Sequence, residues 1–152
     1  MGLFLSTFIN KIDKKCRVSV PASFRAVLAG GDYPGIVVYD SFVNESIEAS
    51  GFDRIEKIHA LIDKLEPFSE ERDALATAVL GSAIQLAFDP EGRIILPPDL
   101  MEKSGLTDTA CFVGKGATFE IWQPEKFEIY KTKAKEFAKS QKGLLTFRGE
   151  AR

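Results

Sequence analysis

The chain has 152 residues, 45% of them hydrophobic and 28% charged, with a formal net charge of −2. That supports one domain or two small halves with ample apolar content for a core. Only Cys16 and Cys111 occur, far apart and outside any Cys-x-x-Cys, so neither a disulfide framework nor a zinc knuckle is indicated. No apolar run approaches the roughly 18–20 residues of a membrane span. Gly2 and Ser6 fit a loose myristoylation pattern, and Leu3–Ile9 resembles a fragment of a signal peptide. However, no cationic segment precedes that run and Lys11 follows it, so a soluble cytoplasmic protein is expected. The small net charge hides an uneven distribution. Residues 1–28 carry Lys11, Lys14, Lys15, Arg17 and Arg25 against Asp13 alone, and residues 131–152 carry seven Lys/Arg against Glu136 and Glu150. The stretch between holds the acidic balance, an asymmetry that says more about partners than the total does.

In chain order, Leu3–Ile12 reads as a strand entering a turn, and Val18–Val20 as the strand leaving it. Pro21 opens a short helix to Leu28, because a proline at the first turn has no N–H to satisfy. Gly30-Gly31-Asp32 ends that helix. Ile36–Tyr39 is a buried strand, and Phe42–Ala49 holds another with a turn near Asn44. Ser50 is placed to cap a helix on which Ile55, Ile58, Ile62 and Leu65 recur at helical spacing up to Pro67. Ser69 caps the next helix, where Glu70 and Glu71 suit the positive end of the dipole; that helix ends near Gly81. Ala83–Phe88 and Ile94–Leu96 flank a second turn, and Pro97–Ser104 forms a short helix closed by Gly105. Ala110–Gly114 and Phe119–Gln123 make a hairpin around Lys115-Gly116. Pro124 opens a last helix with Phe127, Tyr130, Ala134 and Phe137 on one face, and the basic tail from Ser140 carries little pattern.

This order contains a repeat. Residues 12–25 are restated at 88–101 with a constant offset of 76, which pairs Asp13 with Asp89, Arg17 with Arg93, Val18 with Ile94, Val20 with Leu96 and Pro21 with Pro97. Each copy reads Asp, three residues, Arg, a short apolar strand, then Pro at a helix start. The Asp can accept backbone N–H groups inside a tight turn, and the Arg can reach back to it or out to a partner. The first turn carries Lys14-Lys15-Cys16 and is cationic; the second carries Pro90-Glu91-Gly92 and is acidic. Asp13, Asp89 and Arg93 therefore read as structural turn residues. Short, mostly antiparallel connections in both halves predict an α+β, β-rich fold, a small β-barrel-like core with peripheral helices.

The doubled Asp-x-x-x-Arg with trailing Val-Ser-Val-Pro and Ile-Ile-Leu-Pro, together with Phe-Val-Gly at 112–114 and Glu-Ile-Trp at 120–122, resembles the MraZ family. That family belongs to the SpoVT/AbrB-like superfamily, and the likeness covers nearly the whole chain. It implies two swapped-hairpin, AbrB-like repeats, 1–82 with two helices and 83–152 with a C-terminal helix and basic tail. It also implies a cytoplasmic, nucleoid-associated regulator that binds short direct repeats in the promoter of the division and cell-wall gene cluster as a ring-shaped homo-oligomer. Carried over to this sequence, the DNA-contacting residues are Arg17 and Arg25, with Lys11, Lys14 and Lys15 around the turn. Cys16 departs from the pattern, since Gly is usual there and Gly92 keeps it; Cys costs more than Gly at positive φ.

No other constellation has complete catalytic roles. Cys16, Asp13 and the single His59 do not assemble a thiol site by spacing, and Glu66, Glu70, Glu71 and Asp73 match a helix start without needing a substrate. Gly114-Lys115-Gly116 lacks phosphate-loop spacing. The chain is thus read as a non-enzyme with no cofactor, no metal and no small-molecule substrate. The alternative is an antitoxin-like protein-interaction module with no DNA role, a class the same superfamily contains.

Overall fold

A computed structural model describes residues 2–147. Eight strands and five helices run in the order β1 (Thr7–Lys11), β2 (Arg17–Ser19), α1 (Ala22–Leu28), β3 (Gly35–Asp40), β4 (Ile47–Ser50), α2 (Phe52–Asp63), α3 (Glu70–Leu75), β5 (Ile84–Ala87), β6 (Arg93–Ile95), α4 (Pro98–Ser104), β7 (Thr109–Gly114), β8 (Phe119–Trp122) and α5 (Pro124–Gln141). A π-turn, Ala76–Leu80, continues α3 and closes with the Gly81 N–H donating to the Ala76 carbonyl at 2.8 Å.

Six strands form one sheet in the order β1-β7-β8-β4-β3-β5, all pairs antiparallel, and β2 pairs with β6 in a separate ribbon. The expected barrel does not close. β1 and β5 each have a single partner and end the sheet. The strands that would continue them, β2 and β6, pair instead with each other, and one bridge, Ile12 to Val18, is all that links β1 to β2 in register.

The pairing is two-fold symmetric. Adding 76 to the bounds of β2 and α1 gives those of β6 and α4. Arg17 opposite Ile95 is mirrored by Ser19 opposite Arg93, with Val18 opposite Ile94 at the centre. Beyond the ribbon, Val20 N–H donates to the Gly92 carbonyl at 3.2 Å, and Leu96 N–H donates to the Cys16 carbonyl at 2.8 Å. The sheet order reads the same from either edge once β1 is exchanged with β5, β7 with β3 and β8 with β4. Glu48 opposite Glu120 marks its centre.

The main core lies between one face of the sheet and the layer made by the ribbon with α1 and α4. Val18, Val20, Ile94 and Leu96 meet Ile36, Val38, Phe112 and Ile121 there. Phe24 of α1 packs on Phe4 and Phe119 with ring centroids 5.3 and 4.9 Å away, spacings at which aromatic pairs attract. The reverse face is covered in two pieces. Val37 and Tyr39 of β3 pack on Ile55 and Val79, while Cys111, Val113 and Trp122 pack on Phe127 of α5. A sheet covered on both faces explains why β3 and β7 are nearly continuous apolar runs without alternation.

Several local expectations are revised. Ser6 has φ +76, so the chain bends before β1 and only Phe4 continues it, as a bridge to Gly116. The strand expected over Phe42–Ala49 is confined to Ile47–Ser50, because the Ser41 hydroxyl accepts the Val43 and Asn44 N–H groups and curls the preceding loop. The residue capping α2 is Gly51, and the Ser50 hydroxyl is spent on the Gly51 carbonyl. Ser69 does cap α3, accepting from Arg72 N–H at 3.1 Å. Phe137 shares a helix face with Phe127 yet is exposed, since α5 has left the body by then. Ser140 and Gln141 are helical; residues 148–152 of the basic tail lie outside the described residues.

Glu120 is buried at the sheet centre, a carboxylate no sequence pattern announced. It accepts from Trp122 Nε1 at 2.9 Å and Asn44 Nδ2 at 3.2 Å, and pairs with Lys115 Nζ at 3.2 Å. Burial first, then the Glu120 charge across the ladder, raises the Glu48 carboxyl above its usual range. A raised folded pKa means that proton-linked stability is complete below the unfolded value and is lost as pH rises through the folded value. Glu48→Gln therefore should raise thermal stability at pH 7 by about 0.5–1 kcal/mol, the scale of a like-charge pair across strands. The gain should vanish as pH falls to about 4, measured by thermal melts across pH.

Candidate nucleic-acid interface

The two turns are built alike from their Asp residues outward. Asp13 Oδ1 accepts the N–H groups of Lys15 (2.9 Å) and Arg17 (2.8 Å), and its Oδ2 accepts Arg17 Nε at 2.7 Å. Asp89 repeats this with Glu91 N–H and Arg93 N–H, both at 2.9 Å, and with Arg93 Nε at 2.8 Å. Both carboxyls are held below the usual range, in each case first by the backbone N–H of the motif Arg. The turn closes with the Cys16 N–H donating to the Asp13 carbonyl at 3.0 Å, and the Gly92 N–H to the Asp89 carbonyl at 3.0 Å. Cys16 adopts φ +64 against +77 for Gly92, so the substituted turn keeps the glycine conformation.

An exposed ion pair of this kind contributes only about 0–1 kcal/mol to stability. Its consequence is geometric, because it holds the guanidinium in one place. The two Arg residues then differ. Arg93 also reaches Glu91 through Nη2 at 3.4 Å, and its pKa is raised, first by the hydrogen bond to Asp89. Arg17 makes no second ion pair among the described residues, and the exposed Lys14 and Lys15 share its turn.

Antiparallel pairing sets the cationic turn at one end of the β2–β6 ribbon and the acidic turn at the other. Lys11 is exposed on the edge strand β1 that leads into the cationic turn. Arg25 is separated from this group. Its Nε donates to the Val20 carbonyl at 3.0 Å, and its guanidinium lies against Gly92, where an added Cβ would stand 2.5 Å from Nη1. The structure thus gathers Lys14, Lys15 and Arg17, sets Lys11 on the adjoining strand and places Arg25 at the second turn.

Two features escaped sequence reasoning. Asn10 Nδ2 donates to the Ser19 carbonyl at 2.7 Å, pinning β1 to the end of β2. A polar residue at an inward position between Phe8 and Ile12 was the available signal. Ile95 is 61% exposed and stands opposite Arg17 on the outer face of the ribbon, a placement only register reveals. Among the described residues no group of His, Cys, Asp and Glu could hold a metal ion, and no helix is long and apolar enough to cross a membrane.

Known proteins share this sequence over most of its length. The family described as "MraZ protein, putative antitoxin-like" matches residues 79–147. Proteins named transcriptional regulator MraZ are 51% identical over 138 residues in Rickettsia canadensis (strain McKiel), covering 91% of this chain and 93% of that protein. In Rickettsia bellii (strain OSU 85-389) the identity is 52% over 146 residues, covering 95% and 97%. Likeness of this extent sets the chain among transcriptional regulators, a class defined by binding and not by catalysis. It belongs to the MraZ family.

Cys16 is the strained member of the twin turns, and a non-glycine residue at positive φ costs roughly 1–2 kcal/mol. Cys16→Gly should raise stability by about 1 kcal/mol, or about 3 °C in Tm for a domain of this size. Calorimetry on the purified variant checks this.

Proposed function

We propose that this protein is a sequence-specific DNA-binding repressor that recognises short direct repeats in the promoter of the division and cell-wall gene cluster. It does so as a ring-shaped homo-oligomer in the cytoplasm, associated with the nucleoid. Residues 1–82 and 83–152 act as two AbrB-like, swapped-hairpin repeats, a reading supported by the two-fold pairing of strands. The observation that carries the proposal is the difference between the twin arginines. Arg17 is held by Asp13 alone, in a turn that also carries the exposed Lys14 and Lys15, whereas Arg93 is engaged by both Asp89 and Glu91.

In this reading Lys14 and Lys15 contact phosphates and fix position, Lys11 extends the basic strip along β1, and Arg17 reads a guanine edge in the major groove. Arg25, turned toward the second turn, contributes from the ribbon's far end. Asp13, Asp89 and Arg93 hold turns, and the acidic turn keeps its end of the ribbon away from phosphate. One cationic turn binds weakly; a ring presents several to successive repeats, and affinity comes from avidity.

The second reading is an antitoxin-like interaction module with no DNA role, favoured by the wording of the matching family's description. Purified protein alone separates the two, since only the first predicts retardation of promoter DNA without a partner.

Arg17→Ala should lower affinity for promoter DNA about fivefold or more, because one bidentate guanine contact carries about 1–3 kcal/mol. Arg93→Ala should leave it within about threefold. Band-shift titration with circular dichroism as the folding control decides, and equal losses would remove the asymmetry.

Binding should also fall linearly in log affinity against log salt, by about 0.9 per phosphate engaged. Shifting one repeat by half a helical turn, about 5 bp, should weaken binding more than any single base change. Equal affinity for an isolated repeat would sink avidity.

A further inference from the structure

We propose that the turn between α2 and α3 is a docking knob for the C-terminal helix α5 of a second copy of this chain. This inference rests on the homo-oligomer reading above and names the surfaces that would join the copies.

Phe68 carries the first observation. It has φ +69 and is 103% exposed, so its backbone is strained and its ring has no cover among the described residues. A bulky residue in the left-handed region is disfavoured and persists only where its surroundings impose it. Here they do. Ser69 N–H donates to the Glu66 carbonyl at 3.1 Å, Ser69 caps Arg72, and Arg72 Nη2 reaches Asp63 at 2.7 Å across the turn. The turn is clamped in the shape that presents the ring to solvent. Glu66, Glu70 and Glu71 lie within three residues of it in sequence, all exposed and none in an ion pair among the described residues.

The complementary surface is α5. Its first turns pack on the sheet through Phe127 and Tyr130, whose ring stacks on Trp122 at 4.8 Å. Every residue from Lys135 to Phe147 is exposed. The stripe that begins at Tyr130 continues at helical spacing through Ala134 and Phe137, the latter 69% exposed. Lys131 and Lys133 flank it. A helix with its apolar stripe in water gains little from propensity alone and is stabilised by packing. An apolar knob with carboxylates on both sides of it in sequence and an apolar stripe flanked by ammonium groups are complementary in both charge and polarity. The two surfaces differ from each other, so the contact is head-to-tail, the kind that closes a ring when the rotation permits.

The test is light scattering at micromolar concentration on the full chain, with four variants. Wild type should exceed a dimer. Phe68→Gly removes the ring and relieves the positive φ, so its Tm should not fall, while assembly should weaken at least tenfold. Reversing charge on the knob (Glu70→Lys with Glu71→Lys) or on the helix (Lys131→Glu with Lys133→Glu) should each weaken assembly, and combining both should restore it. A Phe68→Gly protein that assembles at unchanged mass overturns the docking proposal and leaves the ring standing. Failure of the combined reversal to restore assembly overturns the charge pairing. A monomeric wild type overturns the homo-oligomer reading and this proposal with it.

Discussion

The antiparallel pairing of Val18 with Ile94 is the constraint on which the rest of the structure depends. Both side chains are almost fully buried, and they lie at the centre of a three-residue ribbon that belongs to neither half alone. With that register set, Val20 and Leu96 enter the same core, Pro21 and Pro97 start helices on opposite sides of it, and each turn is carried to its own end of the ribbon. A slip of one residue would drive Arg17 and Ser19 inward and expose Val18, since alternate side chains face opposite sides of a strand. The pairing of β1 with β7 and of β5 with β3 then ties strands far apart in the sequence into one sheet. Neither set of strands has its neighbours without the other.

On this scaffold the same backbone device appears twice with different electrostatic surroundings. An Asp that caps two N–H groups and grips an arginine Nε is a positioning element whose direct contribution to stability is small. Its value lies in how little freedom it leaves the guanidinium. The neighbouring residues decide what that fixed cation can meet. Lys14 and Lys15 offer Arg17 no second acceptor, and Glu91 occupies Arg93 within the chain. The acidic residues between the basic ends offset their charge, so the net charge of −2 conceals an uneven distribution.

The sheet centre shows a different use of charge. Glu120 is buried but fully served by Trp122, Asn44 and Lys115, so its carboxylate is held without an orphaned oxygen. Glu48, facing it across the ladder, bears the cost through its raised pKa. The symmetry of the pairing brings these two like residues together.

Much of this was legible in the amino-acid order because its causes are local. The 76-residue offset, the Asp-capped turns, prolines at helix starts, Ser69 as a cap and the apolar strands all follow from contacts within a few residues, which sequence spacing encodes directly. The family was legible too, through the doubled motif and its separation. What misled were places where a local preference competed with a tertiary one. Ser50 is a good cap in isolation, but its hydroxyl goes to Gly51; Phe137 keeps the helical stripe, but the body ends before reaching it; short antiparallel connections suggested a barrel, but β2 and β6 chose each other. The sequence by itself determined the repeat, the charge of each turn and the residues able to fill a core. Only the tertiary structure decided that β2 pairs with β6 and β1 with β7, that Arg25 lies by the acidic turn, that Glu48 meets Glu120 and that Phe68 stands in water. Those outcomes depend on pairings between residues far apart in the chain, whose register is chosen by the burial of the whole core and not by any neighbour in sequence.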